Sequence, residues 1–310
     1  MFDEAFRTLF MSKPAKLAHR NNNLLIQSQD SEEFSIPLRD IHTIVIDTPQ
    51  ISLSSSLLEA FSRHKILVFI SDDSHLPSGI FVPFLTHYRN AQILQDQISL
   101  SKQDRSILWQ KIIQSKIANQ SRVLIQESKL SIAAKLQSLQ KGVKLGDSTN
   151  NEAKASALYF PSLFGKAFSR KDLCPINSAL NYGYAIIRGS IARNLVGAGF
   201  LPSLGIFHSN QFNPFNLADD LIEPYRPFVD SKVLALDLNK DFTLQHRVEL
   251  VNLLNARVNF GGKFYPLHRS ITRMVWSISS FVVGKSRVLQ LPIFDKDSNG
   301  REIYESIGDV

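Results

Sequence analysis

A change of texture after Pro83 constrains this chain more than any other feature. Before it, short apolar or alternating runs are separated by turns rich in Asn, Asp or Pro, the pattern of strands: Leu17 to His19, Leu24 to Gln27, Phe34 to Ile36, Ile41 to Ile46 and Ile66 to Ile70. Asn21-Asn22-Asn23 marks a hairpin, because asparagine tolerates the positive φ such turns require. Leu53, Leu57, Leu58 and Phe61 recur at helical spacing between Ser52 and His64 and predict one helix covering the sheet. From Arg89 onward Gln, Lys, Ser, Leu and Ile dominate and no proline occurs until Pro161, which is helical composition. Helices are expected within Ser106 to Leu130 and over Glu152 to Phe160, Ser178 to Ala198, Leu217 to Glu223, Leu244 to Asn255 and Ser270 to Val283. The polar stretch Lys141 to Asn151 reads as a loop joining one hairpin of helices to the next. The expected fold is α+β, with a β-rich domain over residues 1–88 followed by a larger all-α domain over residues 89–310.

With 310 residues, 44% of them hydrophobic, the chain can bury at least one sizeable core, which excludes disorder as its main state. No apolar run approaches the roughly 20 residues of a bilayer-spanning helix. Met1 to Arg20 lacks the apolar core and cleavage site of a secretory signal, so a cytoplasmic protein without membrane association is expected. The single cysteine, Cys174, excludes an internal disulfide and any zinc site built from several thiolates. The net charge of +7 is unevenly placed. Residues 101–146 hold nine Lys or Arg against Asp104 and Glu127, and Lys263 to Arg287 holds five cations and no acid. Local excesses of this kind attract polyanions, because each cation that neutralises a phosphate releases condensed counterions. Lys111, Arg122 and Lys129, recurring on one side of the 106–130 helix, are candidate polyanion contacts together with Arg188, Arg269 and Arg273. A solvated helix face accounts for the charge equally well.

The residues able to do chemistry cluster in the carboxy-terminal part. Glu152 opens a helix, His208 sits in the loop Pro202 to Asn210, and Asp219, Asp220 and Glu223 lie together on Asn216 to Glu223. Residues three or four apart share a helix face, so Asp219 or Asp220 can meet Glu223. Carboxylates with one imidazole suit Mg²⁺ or Mn²⁺ better than a structural zinc. Such a metal stabilises charge developing on a phosphate and lowers the pKa of an attacking hydroxyl. Each residue also fits a plainer role. Thr149 to Glu152 can form a capping box, Asp219 suits the first turn of its helix, and a lone loop histidine is more often simply hydrogen-bonded. On the helix from Ser178, Asn177, Asn181, Tyr184 and Arg188 form a narrow polar stripe in otherwise apolar surroundings, which marks either a site or an internal network.

Taken together, Glu152-Ala153 ahead of Tyr159-Phe160, the run Asn177 to Tyr184, Gly205-Ile206-Phe207-His208 and the segment Leu217 to Pro227 resemble the CRISPR-associated adaptation integrases. These endonucleases insert spacers into CRISPR arrays with a small ferredoxin-like partner. The resemblance runs through nearly the whole chain. It implies an amino-terminal β-domain for dimerisation and partner contact and an α-helical catalytic domain. It implies that Glu152, His208 and Glu223 bind the metal, Mg²⁺ or Mn²⁺, with Asp220 as a nearby fourth acid that orients either His208 or a metal-bound water. The implied reaction on double-stranded DNA is attack of a 3′-hydroxyl on a phosphodiester of the repeat, carried out by a homodimer in complex with the small second universal CRISPR-associated protein. Many relatives carry aspartate where this chain has Glu223, and glutamate there is expected for the type II branch, which adds a large RNA-guided effector nuclease to the expected partners. The residues alone leave two rivals: a nucleic-acid-binding module whose acids serve as caps and ion pairs, and a metal-dependent hydrolase of a small phosphoester.

Overall fold

The computed structural model describes residues 5–28, 33–84, 87–238 and 240–295. The chain divides into two compact units, one formed by the residues up to Tyr88 and one beginning at Arg89. The part of the expected second domain beyond residue 295 lies outside the described residues.

In the first unit, β1 (Arg7–Met11), β5 (Ile41–Ile46) and β7 (Leu67–Ser71) run parallel, and β8 (Pro77–Phe81) closes that sheet antiparallel to β7. All six residues of β5 are buried, as befits a central parallel strand covered on both faces. A second sheet orders β4 (Phe34–Pro37), β3 (Asn23–Ser28), β2 (Ala15–Arg20) and β6 (Ile51–Leu53). The β2–β3 hairpin turns through Asn21 and Asn22 at φ 51° and 59°, the left-handed pair its sequence predicts. Helix α1 (Ser55–Arg63) starts where Ser54 Oγ accepts from the backbone N–H of Leu57 at 3.3 Å. Its Leu57, Ala60 and Phe61 join Leu9, Leu17, Ile26, Ile44 and Val68 in one apolar core.

The second unit is mostly helical: α2 (Asn90–Ser99), α3 (Lys102–Gln126), α4 (Leu130–Lys141), α5 (Asn151–Phe164), α6 (Pro175–Gly197), α7 (Asn216–Ile222), α8 (Arg226–Leu234), α9 (Leu244–Asn252) and α10 (Leu267–Val282). It is not all-α, however. Strands β9 (Arg257–Phe260) and β10 (Lys263–Pro266) form an antiparallel hairpin, whose two-residue turn is made by Gly261 and Gly262 at φ 62° and 79°. Glycine adopts both left-handed conformations without a Cβ clash, which lets the chain reverse between α9 and α10. The central helix α6 begins with Pro175, pre-set for a first turn. At Gly183 a Cβ would lie 2.5 Å from Val229 Cγ1, so glycine there permits the close packing of α6 on α8.

Candidate active site

Helix α3 carries a polar seam through the interior: Lys116, Asn119 and Gln120 are all buried. Asn119 donates to the carbonyls of Pro224 at 2.9 Å and Pro292 at 3.0 Å, and accepts from the backbone N–H of Phe294 at 3.0 Å. That fixes the single 3-10 turn Glu223–Tyr225, between α7 and α8, against α3. Glu223 thereby comes to Lys116, with Nζ 2.5 Å from Oε2, while its Oε1 accepts from Arg226 Nε at 2.8 Å.

Glu152 reaches the same lysine from α5. The capping box open to Thr149 and Glu152 does not form. The Asp147 carboxylate accepts from the backbone N–H groups of Asn151 and Glu152, each at 2.9 Å, and Thr149 Oγ1 is buried without a hydrogen bond among the described residues. Capping by Asp147 frees the Glu152 carboxylate, whose Oε1 accepts from Lys116 Nζ at 2.5 Å and from Ser156 Oγ at 3.0 Å. Burial would raise the Glu223 carboxyl, but Arg226 and Lys116 outweigh it and carry it down to about 2. Burial would likewise lower the Lys116 ammonium, yet Glu223 and Glu152 hold it above its ordinary value.

Asp220, fully buried on α7, serves a different purpose from Glu223, so the two acids do not converge on one point. Its carboxylate accepts from the backbone N–H groups of Ile206 at 2.5 Å, Phe207 at 3.0 Å and His208 at 3.1 Å, and bonds His208 Nδ1 at 2.7 Å. The loop wraps so closely that a Cβ on Gly205 would sit 2.2 Å from the His208 carbonyl oxygen. Trp109 supports the loop from α3, stacked on Phe207 at 4.2 Å and edge-on to His208 at 5.7 Å. The hydrogen bond that His208 donates to Asp220, opposed by partial burial, raises the imidazole above its ordinary value.

The polar stripe on α6 is a connected network. Arg170 donates to Asn177 and, at 2.7 Å, to Asn181, and its guanidinium lies over the Tyr184 ring. The Tyr184 hydroxyl bonds the buried Asp230 carboxyl, which burial pushes up to about 6. Arg226 covers the other part of this group, 4.5 Å from the Tyr184 ring centre. A cavity of about 230 Å³ is lined by Lys116, Glu152, Arg170, Tyr184, Glu223 and Arg226 among others. His208 is not among the described residues that line it.

Glu152 and Glu223 therefore meet at Lys116, and His208 meets Asp220. Among the described residues, no three His, Cys, Asp or Glu side chains stand close enough together to hold a metal as they are. An ammonium already separates the two glutamates, and Asp220 already takes one imidazole nitrogen. The donor set nonetheless fits a hard divalent cation, since two carboxylate oxygens from distant segments point at one cationic atom. Asp220 engages Nδ1 of His208 and leaves Nε2 as the second ring nitrogen, the division seen in histidines that bind metals.

The expected DNA contacts fare differently. Lys129 is exposed, Lys111 half-buried, and Arg122 exposed with a 3.3 Å bond to Asn119 Oδ1. Arg188 is 3.8 Å from Asp219 and lies over the Phe215 ring. Arg273 lies 4.0 Å from the Tyr265 ring centre, whereas Arg269 is partly buried with its Nε inside. Within the basic segment Arg105 turns inward to the carbonyls of Gln97, Leu100 and Gly205, as Lys116 turns to the glutamates. Lys116, Asp147, Arg170, Arg226 and Asp230 escape a reading of the sequence. The one signal for Lys116 is its place beside Ile113 and Ile117 on the apolar side of α3, where a cation needs buried partners.

The chain matches the family model described as CRISPR associated protein Cas1 over residues 9–255. It is 36% identical over 292 residues to the CRISPR-associated endonuclease Cas1 of Neisseria meningitidis serogroup C (strain 8013), covering 93% of this chain and 96% of that protein. In fold it resembles a casposase bound to integration product, with a TM-score of 0.74, 19% identity and 92% of each chain covered. A chain of a Cas6-RT-Cas1–Cas2 complex matches with a TM-score of 0.69 and 19% identity, over 92% of this chain and 36% of that one.

Proposed function

The chain belongs to the CRISPR-associated Cas1 family, and from that premise we propose that it is a divalent-metal-dependent DNA endonuclease and integrase that inserts spacer DNA into a CRISPR array. One observation carries the proposal: the Glu152 and Glu223 carboxylates, from separate helical segments, converge on a single cationic atom at 2.5 Å each. Glu152 from α5 and Glu223 from the turn after α7 would hold Mg²⁺ or Mn²⁺ between them, and His208 would join them through Nε2. Asp220 fixes the imidazole tautomer and orientation through its 2.7 Å bond to Nδ1. The bound cation supplies stabilisation of charge on the scissile phosphate and acidifies the attacking hydroxyl, that of a DNA 3′ end in strand transfer or of water in hydrolysis. Arg170 and Arg226 balance charge around the cavity.

Lys111, Arg122, Lys129, Arg188, Arg269 and Arg273 track the phosphate backbone of double-stranded DNA, so recognition is of shape and charge more than of bases. Inserting at both ends of a repeat requires two sites, which favours a homodimer. The β-rich residues 1–88 serve dimerisation and contact with the small second universal CRISPR-associated protein, and residues from 89 onward form the catalytic domain. The likeness to a chain of a Cas6-RT-Cas1–Cas2 complex supports that partner, and glutamate at position 223 is the ground for the type II branch with its effector nuclease. No helix among the described residues is long and apolar enough to cross a membrane.

Strand transfer of a labelled duplex into a repeat-bearing plasmid tests the proposal. Glu152→Gln and His208→Ala should abolish joining while leaving duplex binding intact. Unchanged joining in both would return the chain to a binding module without chemistry of its own.

A further inference from the structure

We propose that Lys116 is a resident counter-ion that occupies the cation position between Glu152 and Glu223 until DNA arrives, so that divalent cation and DNA phosphate enter the site together. The inference rests on the reading that Glu152 and Glu223 are cation ligands. Lys116 lies in the middle of α3, only 6% exposed, with Nζ 2.5 Å from Glu152 Oε1 and 2.5 Å from Glu223 Oε2. The second oxygen of Glu223 is bonded by Arg226. Two carboxylates are thus already balanced by two cations.

A divalent cation added to this set creates a buried surplus of positive charge, which surroundings of low dielectric penalise. The surplus disappears when an anionic phosphate enters alongside, because the ammonium can pass from the carboxylates to a phosphate oxygen. Space for that exchange is present in the cavity of about 230 Å³, where Arg170 and Arg226 line the wall together with Lys116. Lysine suits the task better than arginine would: a compact ammonium on a flexible stem can change partner, whereas a planar fork is committed to one geometry. Two ligands that relieve each other's charge bind reciprocally, so DNA raises cation affinity by the same factor that the cation raises DNA affinity. In the absence of either ligand, the ammonium keeps the two carboxylates from repelling each other, which makes Lys116 a positioning residue.

Binding of Mn²⁺ by the full-length protein, followed by electron paramagnetic resonance with and without a short DNA duplex, tests the inference in wild type, Lys116→Gln and Lys116→Met. Wild type should bind Mn²⁺ weakly alone and at least about tenfold more tightly with DNA, the scale on which groups around a metal site change its affinity. Lys116→Gln should bind Mn²⁺ tightly without DNA and lose most of that coupling. Both variants should melt below wild type without metal and be restored by Mn²⁺ alone, a rescue that a merely structural lysine would not give. Lys116→Gln binding Mn²⁺ no more tightly than wild type, or wild type binding it equally well with and without DNA, overturns the inference while leaving the proposed function standing. Strand transfer that persists in Glu152→Gln removes the metal-site reading itself.

Discussion

Asp220 and His208 form one rigid unit: a fully buried carboxylate bonds the imidazole Nδ1 at 2.7 Å and also accepts the backbone N–H of the same residue at 3.1 Å. The histidine is therefore held by both its backbone and its ring, and only the far side of the ring is left to act. The bond to Asp220 sets its protonation too. Because the folded-state pKa of His208 is raised, its contribution to stability is full below the ordinary value of 6.5 and is lost as pH rises through the higher folded value. The His208 ring resonances in NMR should titrate above 6.5 in wild type and move back down in Asp220→Asn.

Removing the carboxylate altogether has a structural effect. Asp220→Ala leaves the N–H groups of Ile206, Phe207 and His208 without their acceptor. Urea denaturation should show a loss of about 1–3 kcal/mol, the cost of leaving buried donors unsatisfied. Joining activity should fall further than stability does.

The acids around the cavity oppose each other in acid. Glu223, lowered to about 2, contributes stability that is present above its ordinary 4.5 and lost as pH falls through about 2. Asp230, raised to about 6, works the other way: its contribution is full below its ordinary 3.8 and lost as pH rises through about 6. Asp230→Asn should accordingly abolish a fall in stability between those two values, measured by denaturant unfolding at a series of pH values. An unchanged profile would mean that the carboxyl beside Tyr184 ionises as it does in water.

Asn119 should prove as important to activity as any ligand. It joins α3 to the carbonyl of Pro224, one residue from Glu223, and to the segment Pro292–Phe294. Asn119→Ala strands these buried backbone groups and should cost on the order of 3 kcal/mol in denaturant unfolding. The surviving folded enzyme should join DNA poorly, because Glu223 is no longer fixed against Lys116.

Exposed and inward cations should separate in a salt titration of duplex binding. Lys129→Ala and Arg122→Ala should weaken binding regardless of sequence and reduce the salt slope by about 1 each. Arg105→Ala should leave the slope unchanged, since its guanidinium is spent on the carbonyls of Gln97, Leu100 and Gly205.

Local signals account for what the sequence discloses. Asn21-Asn22 dictates a turn by its own backbone preferences, and Ile41 to Ile46 announces a strand buried on both faces. The Gly261-Gly262 hairpin is equally local but its strands are only four residues each, too short to stand out in a helical stretch. The site is harder to read. Asp147 replaces the cap suggested by Thr149 and Glu152, because a 3-10 turn over Leu145–Asp147 aims its carboxylate at the helix start. Lys116 stands out only by its place on the apolar side of α3, and nothing near it in sequence reveals that α5 and the Glu223 turn bring it two carboxylates. Basic residues proposed to bind DNA and those that bind their own fold share one composition.

The most direct measurement is the anomalous scattering of Mn²⁺ in crystals of the protein bound to a DNA duplex. A single strong peak ligated by oxygens of Glu152 and Glu223 and by Nε2 of His208, with the Lys116 ammonium displaced, is the predicted result. A Lys116 ammonium still seated between the two glutamates, with Mn²⁺ bound elsewhere in crystals whose protein joins DNA, would contradict the account.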